Sequence, residues 1–251
     1  MSGRWGGRCP ATMMKYARAD LPRVVAATGQ TVDYTDMVTA SGFRECYHPA
    51  HPLTRGEDRR TKLALLEYIR SLGLVNGSEV IQGYAVPAMD YAKGAMYVGL
   101  RYFLLRHIHA PLFNLVFKDC QVLFDGTVGT SRRMEYSNET LECLAYGIQP
   151  QFSFNMAHYA GARAVIRETA ALMSDFQRDT ALDRLASHKY LGGGYDAQQT
   201  EMSSGARVSI NTDTAPFRTD EGLEIPARGF VIESPGAPPR KGAIQTAFRA
   251  L

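Results

Sequence analysis

The sequence predicts an α/β protein, a partial (β/α)8 TIM-type barrel (its C-terminal half) followed by a small antiparallel β-domain. Three observations predict it. From Pro10 to about Tyr190, helix-like and strand-like segments alternate, the rhythm of a parallel sheet or barrel with helices outside it. The segments that read as buried strands end in polar residues, as barrel strands do at the mouth where active sites sit. From Gln198 onward the pattern changes to apolar and polar alternation with turn residues, the mark of antiparallel strands.

The elements follow in order. Short helices are expected around Ala11 to Arg18 and Leu21 to Thr28, and the first strand is Val32-Asp33-Tyr34-Thr35-Asp36. The next helix starts at Thr54-Arg55-Gly56-Glu57, a capping box in which the Thr54 hydroxyl accepts from the Glu57 amide and the Glu57 carboxylate reaches back. Leu63, Leu66, Ile69 and Leu72 repeat on one face, and Gly73 stops the helix. Leu74-Val75-Asn76-Gly77-Ser78-Glu79 reads as the second strand. Leu112 to Asp119 reads as a third, and Pro150 to Asn155 as a fourth after a helical stretch from Asn138 to Tyr146. Helical segments from about Ala160 to Ala186 close the region. Residues 1–190 are thus the barrel part, 198–233 a β-strand appendage, and 234–251, rich in proline and glycine, a flexible tail.

Bulk properties exclude several classes. With 45% hydrophobic and 21% charged residues, the chain has the composition of an ordinary globular protein. A net charge of +3, with scattered Lys and Arg, argues against nucleic acid as a partner. The longest apolar stretches are interrupted by Arg101, Arg106, His107 and His109 and fall short of the roughly 20 residues of a membrane span, so no membrane partner is expected. Residues 1–10 hold no apolar secretory core, which favours a cytoplasmic place. The four cysteines, Cys9, Cys46, Cys120 and Cys143, form no CxxC pair and read as free thiols, and no cofactor or metal is expected.

The candidate chemistry lies at the strand ends. Neighbouring parallel strands lie roughly 4.8 Å apart, and two carboxyls about 5 to 5.5 Å apart suit a retaining glycosidase. Asp36 and Glu79 end successive strands and are the natural pair. Read blandly, Asp36 makes an Asx-turn or helix cap and Glu79 pairs with an arginine. Asp119 is a third site group or a turn residue, and Asp90 holds a sugar hydroxyl or caps a helix. Tyr84, with Tyr47 and Tyr91, offers an apolar sugar-facing surface or is simply packed. Thr39 to Arg55 is too long for an idle connection and is a candidate substrate loop carrying His51. Its His48 and His51, with Glu45 and Cys46, admit metal ligation, while Pro49 and Pro52 favour a rigid turn.

Asp36-Met37-Val38-Thr39-Ala40, Glu45-Cys46-Tyr47, His51-Pro52-Leu53-Thr54-Arg55, Leu72 to Val75, and Gly77-Ser78-Glu79 together carry a family pattern. So do Ala110 to Asp119, Val208 to Asn211 and Ile225 to Phe230. In these patches, ordered over most of residues 15–233, the chain resembles barrel glycosidases related to glycoside hydrolase families 101 and 129, which are retaining α-N-acetylgalactosaminidases. The resemblance implies Asp36 as nucleophile and Glu79 as acid/base, the same pair that strand-end placement singles out. It also implies an N-terminal β-sandwich and earlier barrel strands, for which the stretch ahead of Val32 is too short, so an N-terminally truncated chain with an exposed edge beside the Val32 strand is expected. The function expected is a retaining glycoside hydrolase acting on α-linked (amino) sugars, with an oligosaccharide or glycan as substrate. The alternatives are a non-catalytic carbohydrate-binding or decayed barrel fragment, and a metal-dependent barrel hydrolase using His48, His51 and a carboxylate.

Overall fold

The computed structural model describes residues 9–95, 111–129, 136–153 and 156–244, and the chain divides into two compact units, residues 1–96 and 97–251. His107, His109 and Asn155 lie outside the described residues.

The first unit runs α1 (Met13–Thr28), β1 (Val32–Thr35), α2 (Arg55–Ser71), β2 (Val75–Ile81) and β3 (Tyr91–Ala95). One continuous helix replaces the two expected ahead of Val32; it contains Pro22 and ends on Gly29 at φ 66°. The expected capping box forms at the start of α2, where the Thr54 hydroxyl accepts from Glu57 N–H at 3.3 Å and the Glu57 carboxylate accepts from Thr54 N–H at 2.8 Å. The inward stripe of α2 is Asp58, Lys62, Leu65, Leu66 and Ile69, at helical spacing. It therefore sits slightly round the helix from the leucine row read in the sequence and carries a charged pair at its head.

The strands pair in parallel. Val32, Asp33, Tyr34 and Thr35 stand opposite Val75, Asn76, Gly77 and Ser78, while Gly77, Ser78 and Glu79 stand opposite Tyr91, Ala92 and Lys93. Strand residues alternate between faces. Asn76, Ser78 and Ala92 are buried on one face, where the Asn76 amide donates to Leu66 O of α2 and to Ala88 O, both at 3.0 Å. On the other face lie Tyr34, Gly77, Glu79, Tyr91 and Lys93. Among the described residues of this unit, β1 is bonded to a strand on one side only, and its Val32 and Tyr34 are exposed, leaving the free edge expected there.

In the second unit the expected third strand is a helix, α3 (Leu112–Phe117), followed by a turn that holds Asp119. The reason is visible in the side chains that turn inward. Asn114 and Lys118, four residues apart, are both buried. The Asn114 amide donates to Tyr146 O at 3.2 Å, and Lys118 Nζ donates to the carbonyls of Thr180, Ala181 and Asp183 at 2.6, 3.3 and 3.1 Å. Helical rise sets the two roughly 6 Å apart along the axis, one turn above the other, whereas a strand would spread them over roughly 13 Å. The parallel strands here are β4 (Val122–Gly129) and β5 (Gln149–Ser153), separated by α4 (Tyr136–Tyr146). After α5 (Met156–Thr180) come β6 (Leu185–Tyr190), β7 (Ala197–Met202), β8 (Arg207–Asn211), β9 (Phe217–Arg218), β10 (Glu224–Ile225), β11 (Gly229–Glu233) and β12 (Arg240–Ala243). They form an antiparallel sheet ordered β12-β11-β8-β7-β6 and a β9–β10 ribbon. The antiparallel strands expected after Gln198 are present; the sheet also takes in β6 before them and β12 within the stretch read as a flexible tail. Among the described residues, no helix is long and apolar enough to cross a membrane.

In the first unit, the segment between β1 and α2 is fastened by the buried Asp58–Lys62 pair, 3.6 Å apart. Asp58 accepts from Arg44 N–H at 2.7 Å, and Lys62 Nζ donates to Ser41 O and Oγ and to Gly42 O at 2.9, 3.0 and 3.2 Å. Removing one member of a buried pair leaves an uncompensated charge, which costs about 3–5 kcal/mol. Lys62→Ala should therefore lower the unfolding free energy by about that amount in denaturant titration, and Lys62→Met with Asp58→Leu should recover much of it.

Candidate functional site

Asp36 follows β1 directly and Glu79 lies near the C-terminal end of β2. The last bonded pair is Thr35 with Ser78; Asp36, the next residue along, opens the turn that follows, and Glu79 is the next residue of β2. Glu79 in turn stands opposite Lys93, whose Nζ lies 3.5 Å from the Glu79 carboxylate. One step earlier the row is Tyr34, Gly77 and Tyr91. By the two-residue strand period, the aromatic row and the charged row share one face.

The rows are held in place by contacts specific to these residues. Gly77 makes room for Tyr91: a Cβ there would stand 2.3 Å from the ring. The Tyr91 hydroxyl then reaches across to donate to Asp33 O at 2.9 Å, and its ring stacks on Tyr34 at 6.3 Å between centroids. On the opposite face the Ser78 hydroxyl donates to Thr35 O at 2.6 Å. The Thr39 hydroxyl donates to Glu79 O at 2.6 Å, and the Gln82 amide donates to Thr39 O at 2.7 Å, so the turn after Asp36 is tied to the end of β2.

Backbone strain falls at the same place. The residue after each carboxylate, Met37 and Val80, has a positive φ, 62° and 48°. Non-glycine residues in this region cost of order 1–3 kcal/mol and gather where surrounding structure enforces them, commonly at functional sites. The Tyr34 phenol registers the local charge: although the side chain is partly exposed at the sheet edge, loss of water around the hydroxyl first, then the negative charges of Glu79 and of Asp36, push its pKa up to about 12. Both carboxylates therefore lie within electrostatic reach of one hydroxyl.

The remaining sequence candidates have surroundings of their own. Asp90 precedes β3, at the N-terminal ends of the strands; its carboxylate accepts from Asn76 N–H at 2.8 Å and pairs with Arg70 at 3.1 Å, so it closes the opposite end of the sheet from Asp36 and Glu79. Asp119 sits in the turn after α3 and bonds the Cys120 thiol, not at a strand end. Tyr84 lies in the 3-10 turn after β2, its ring edge-on to Phe43 at 5.0 Å and under the Arg59 guanidinium at 5.9 Å; burial raises its phenol to about 12, and the hydroxyl has no partner among the described residues. His51 stacks on His48 at 4.2 Å and bonds Cys46. Tyr47 is exposed, its hydroxyl on Glu45. Tyr34 and Lys93 were not singled out from sequence, yet each shares the strand-end face, and the two-residue spacings Tyr34 to Asp36 and Tyr91 to Lys93 carry that signal.

No protein-family model matches the chain, and no curated protein matches it. Solved structures do. The chain is similar to the α-N-acetylgalactosaminidase NagBb from Bifidobacterium bifidum in complex with GalNAc, at 25% identity and a TM-score of 0.67 over 81% of this chain and 33% of that one. The ligand-free NagBb structure matches at 23% identity and a TM-score of 0.68 over 86% of this chain and 34% of that one. The complex with Gal-NHAc-DNJ matches at 23% identity and 0.67 over 81% and 34%. The chain thus spans about a third of the length of the structures it matches.

The charge arrangement is open to a direct check. Spectrophotometric titration should show two phenols, Tyr34 and Tyr84, ionising at about 12, one of which is lost in Tyr34→Phe, and Glu79→Gln should bring that one down toward the ordinary value of about 10 without reaching it, because desolvation remains. An unmoved step in Glu79→Gln would place the carboxylate away from Tyr34.

Proposed function

We propose that this chain carries the catalytic pair of a retaining glycoside hydrolase acting on α-linked amino sugars, with Asp36 as nucleophile and Glu79 as acid/base. The observation that supports the reading is the β1–β2 register, which closes β1 at Thr35 opposite Ser78, so that Asp36 and Glu79 are the next residues along two adjacent parallel strands. The similarity to a GalNAc-binding α-N-acetylgalactosaminidase supports the substrate class.

In the first step the Asp36 carboxylate attacks the anomeric carbon as the bond to the leaving oxygen breaks, and Glu79 gives that oxygen its proton. In the second, Glu79 takes a proton from water, and the hydroxide displaces Asp36 from the sugar, restoring both groups. Lys93 holds the Glu79 carboxylate from β3, and the stacked Tyr34 and Tyr91 give the same face an aromatic surface on which a pyranose ring can rest.

Turnover of α-linked N-acetylgalactosaminides tests the roles separately. Asp36→Asn should abolish turnover of every substrate. Glu79→Gln should lose about 10²–10⁴-fold in kcat on sugars with poor leaving groups and far less on activated aryl glycosides, since only the former need the proton. Wild-type rates in either variant, or sugar binding without turnover in the unmodified chain, would contradict the assignment.

A further inference from the structure

Cys9, Cys46 and His51 lie together although Cys9 is remote from the other two in sequence. The two thiol sulfurs and one imidazole nitrogen all lie within 4.8 Å of one another, and Cys46 Sγ stands 3.4 Å from His51 Nδ1. We propose that these three side chains form a binding site for a zinc-like divalent ion, which fastens the segment ahead of α1 to the loop between β1 and α2.

The donor set selects the ion. Two thiolates and an imidazole suit zinc, whereas calcium and magnesium take oxygen ligands. In a tetrahedral zinc site, ligands at about 2.3 Å for sulfur and 2.0–2.1 Å for nitrogen stand roughly 3.5–3.8 Å from each other. The Cys46–His51 separation already matches that edge, and the remaining separations need only small side-chain movements.

The backbone holds the ligands ready. Cys46 and Leu53 exchange two hydrogen bonds, Cys46 N–H to Leu53 O at 2.8 Å and Leu53 N–H to Cys46 O at 2.9 Å, while His51 N–H donates to His48 O at 3.0 Å. The His51 ring is set by its near-parallel stack on His48, 7° between planes. Cys9 precedes the 3-10 turn that leads into α1, and its carbonyl accepts from the Thr12 amide at 2.9 Å and the Thr12 hydroxyl at 2.8 Å. Three protein ligands leave a fourth position for water. Bound metal would close a covalently anchored loop from α1 to the segment whose Thr39 end is tied to Glu79, stiffening the approach to the strand ends independently of the chemistry there.

The full chain, stripped with a chelator, is titrated with cobalt(II) and separately with zinc(II). The expected result is about one metal per chain, a thiolate-to-cobalt charge-transfer band, and a higher Tm with zinc than with chelator. The band should persist in Cys120→Ser, whose thiol is exposed and outside the cluster, and be lost in Cys46→Ser and in His51→Ala. Absence of the band in the unmodified chain overturns the proposal whatever the variants do. So does its survival in Cys46→Ser. Alkylation under denaturing, non-reducing conditions that finds two thiols fewer than the chain's four would show a Cys9–Cys46 disulfide in place of the metal site, and would also overturn it.

Discussion

The parallel pairing of β1 with β2 is the constraint on which the rest of the site depends. Side chains alternate along a strand, so a slip of one residue would turn Tyr34 and Asp36 toward α2 and bring Asp33 and Thr35 to the open face. The register is defended from both faces. Ser78 bonds Thr35 O on the helix side, and Tyr91, admitted by Gly77, bonds Asp33 O from the other. No apolar pattern alone would fix it, because β1 alternates only between half-buried and exposed residues.

The loop after Asp36 extends the same logic. It leaves the strand through a left-handed Met37, returns to β2 through Thr39, and is clamped to α2 through Ser41, Gly42 and Arg44 by the buried Asp58–Lys62 pair. Burial lowers the pKa of Lys62, and its three oxygen acceptors and the carboxylate offset that loss of hydration. That arrangement sets the strand-end turn beside Glu79.

Much of this was legible in the sequence. The capping box at Thr54, the stop at Gly73 and the strands starting near Val32 and Val75 are local signals that tertiary packing reinforced, although β1 closes at Thr35, before Asp36, and β2 runs past Glu79 to Ile81. Leu112 to Phe117 misled because an apolar run of six residues cannot display a helical period, and Leu112 and Val116 turn outward while Asn114 and Lys118 turn in. That error carried Asp119 with it. Asp90, open in the sequence between a sugar contact and a helix cap, accepts from Asn76 N–H and pairs with Arg70 of α2, partners that only the fold brings to it. β12 was hidden because Arg240 to Ala243 pairs with β11 through its backbone, with Gly242 letting Phe230 lie close. Cys9 gave no signal at all, since its neighbours Cys46 and His51 are brought to it only by the fold.

The central claim is that Asp36, placed by this register, is the group that bonds to sugar. Mass spectrometry of the chain after reaction with a ring-fluorinated α-galactosaminyl fluoride tests it most directly, since fluorine slows release of a covalent intermediate more than its formation. The account predicts a single sugar adduct on the peptide containing Asp36, absent in Asp36→Asn. An adduct on Glu79 or on another carboxylate, or hydrolysis with inversion at the anomeric carbon and no adduct, would contradict it.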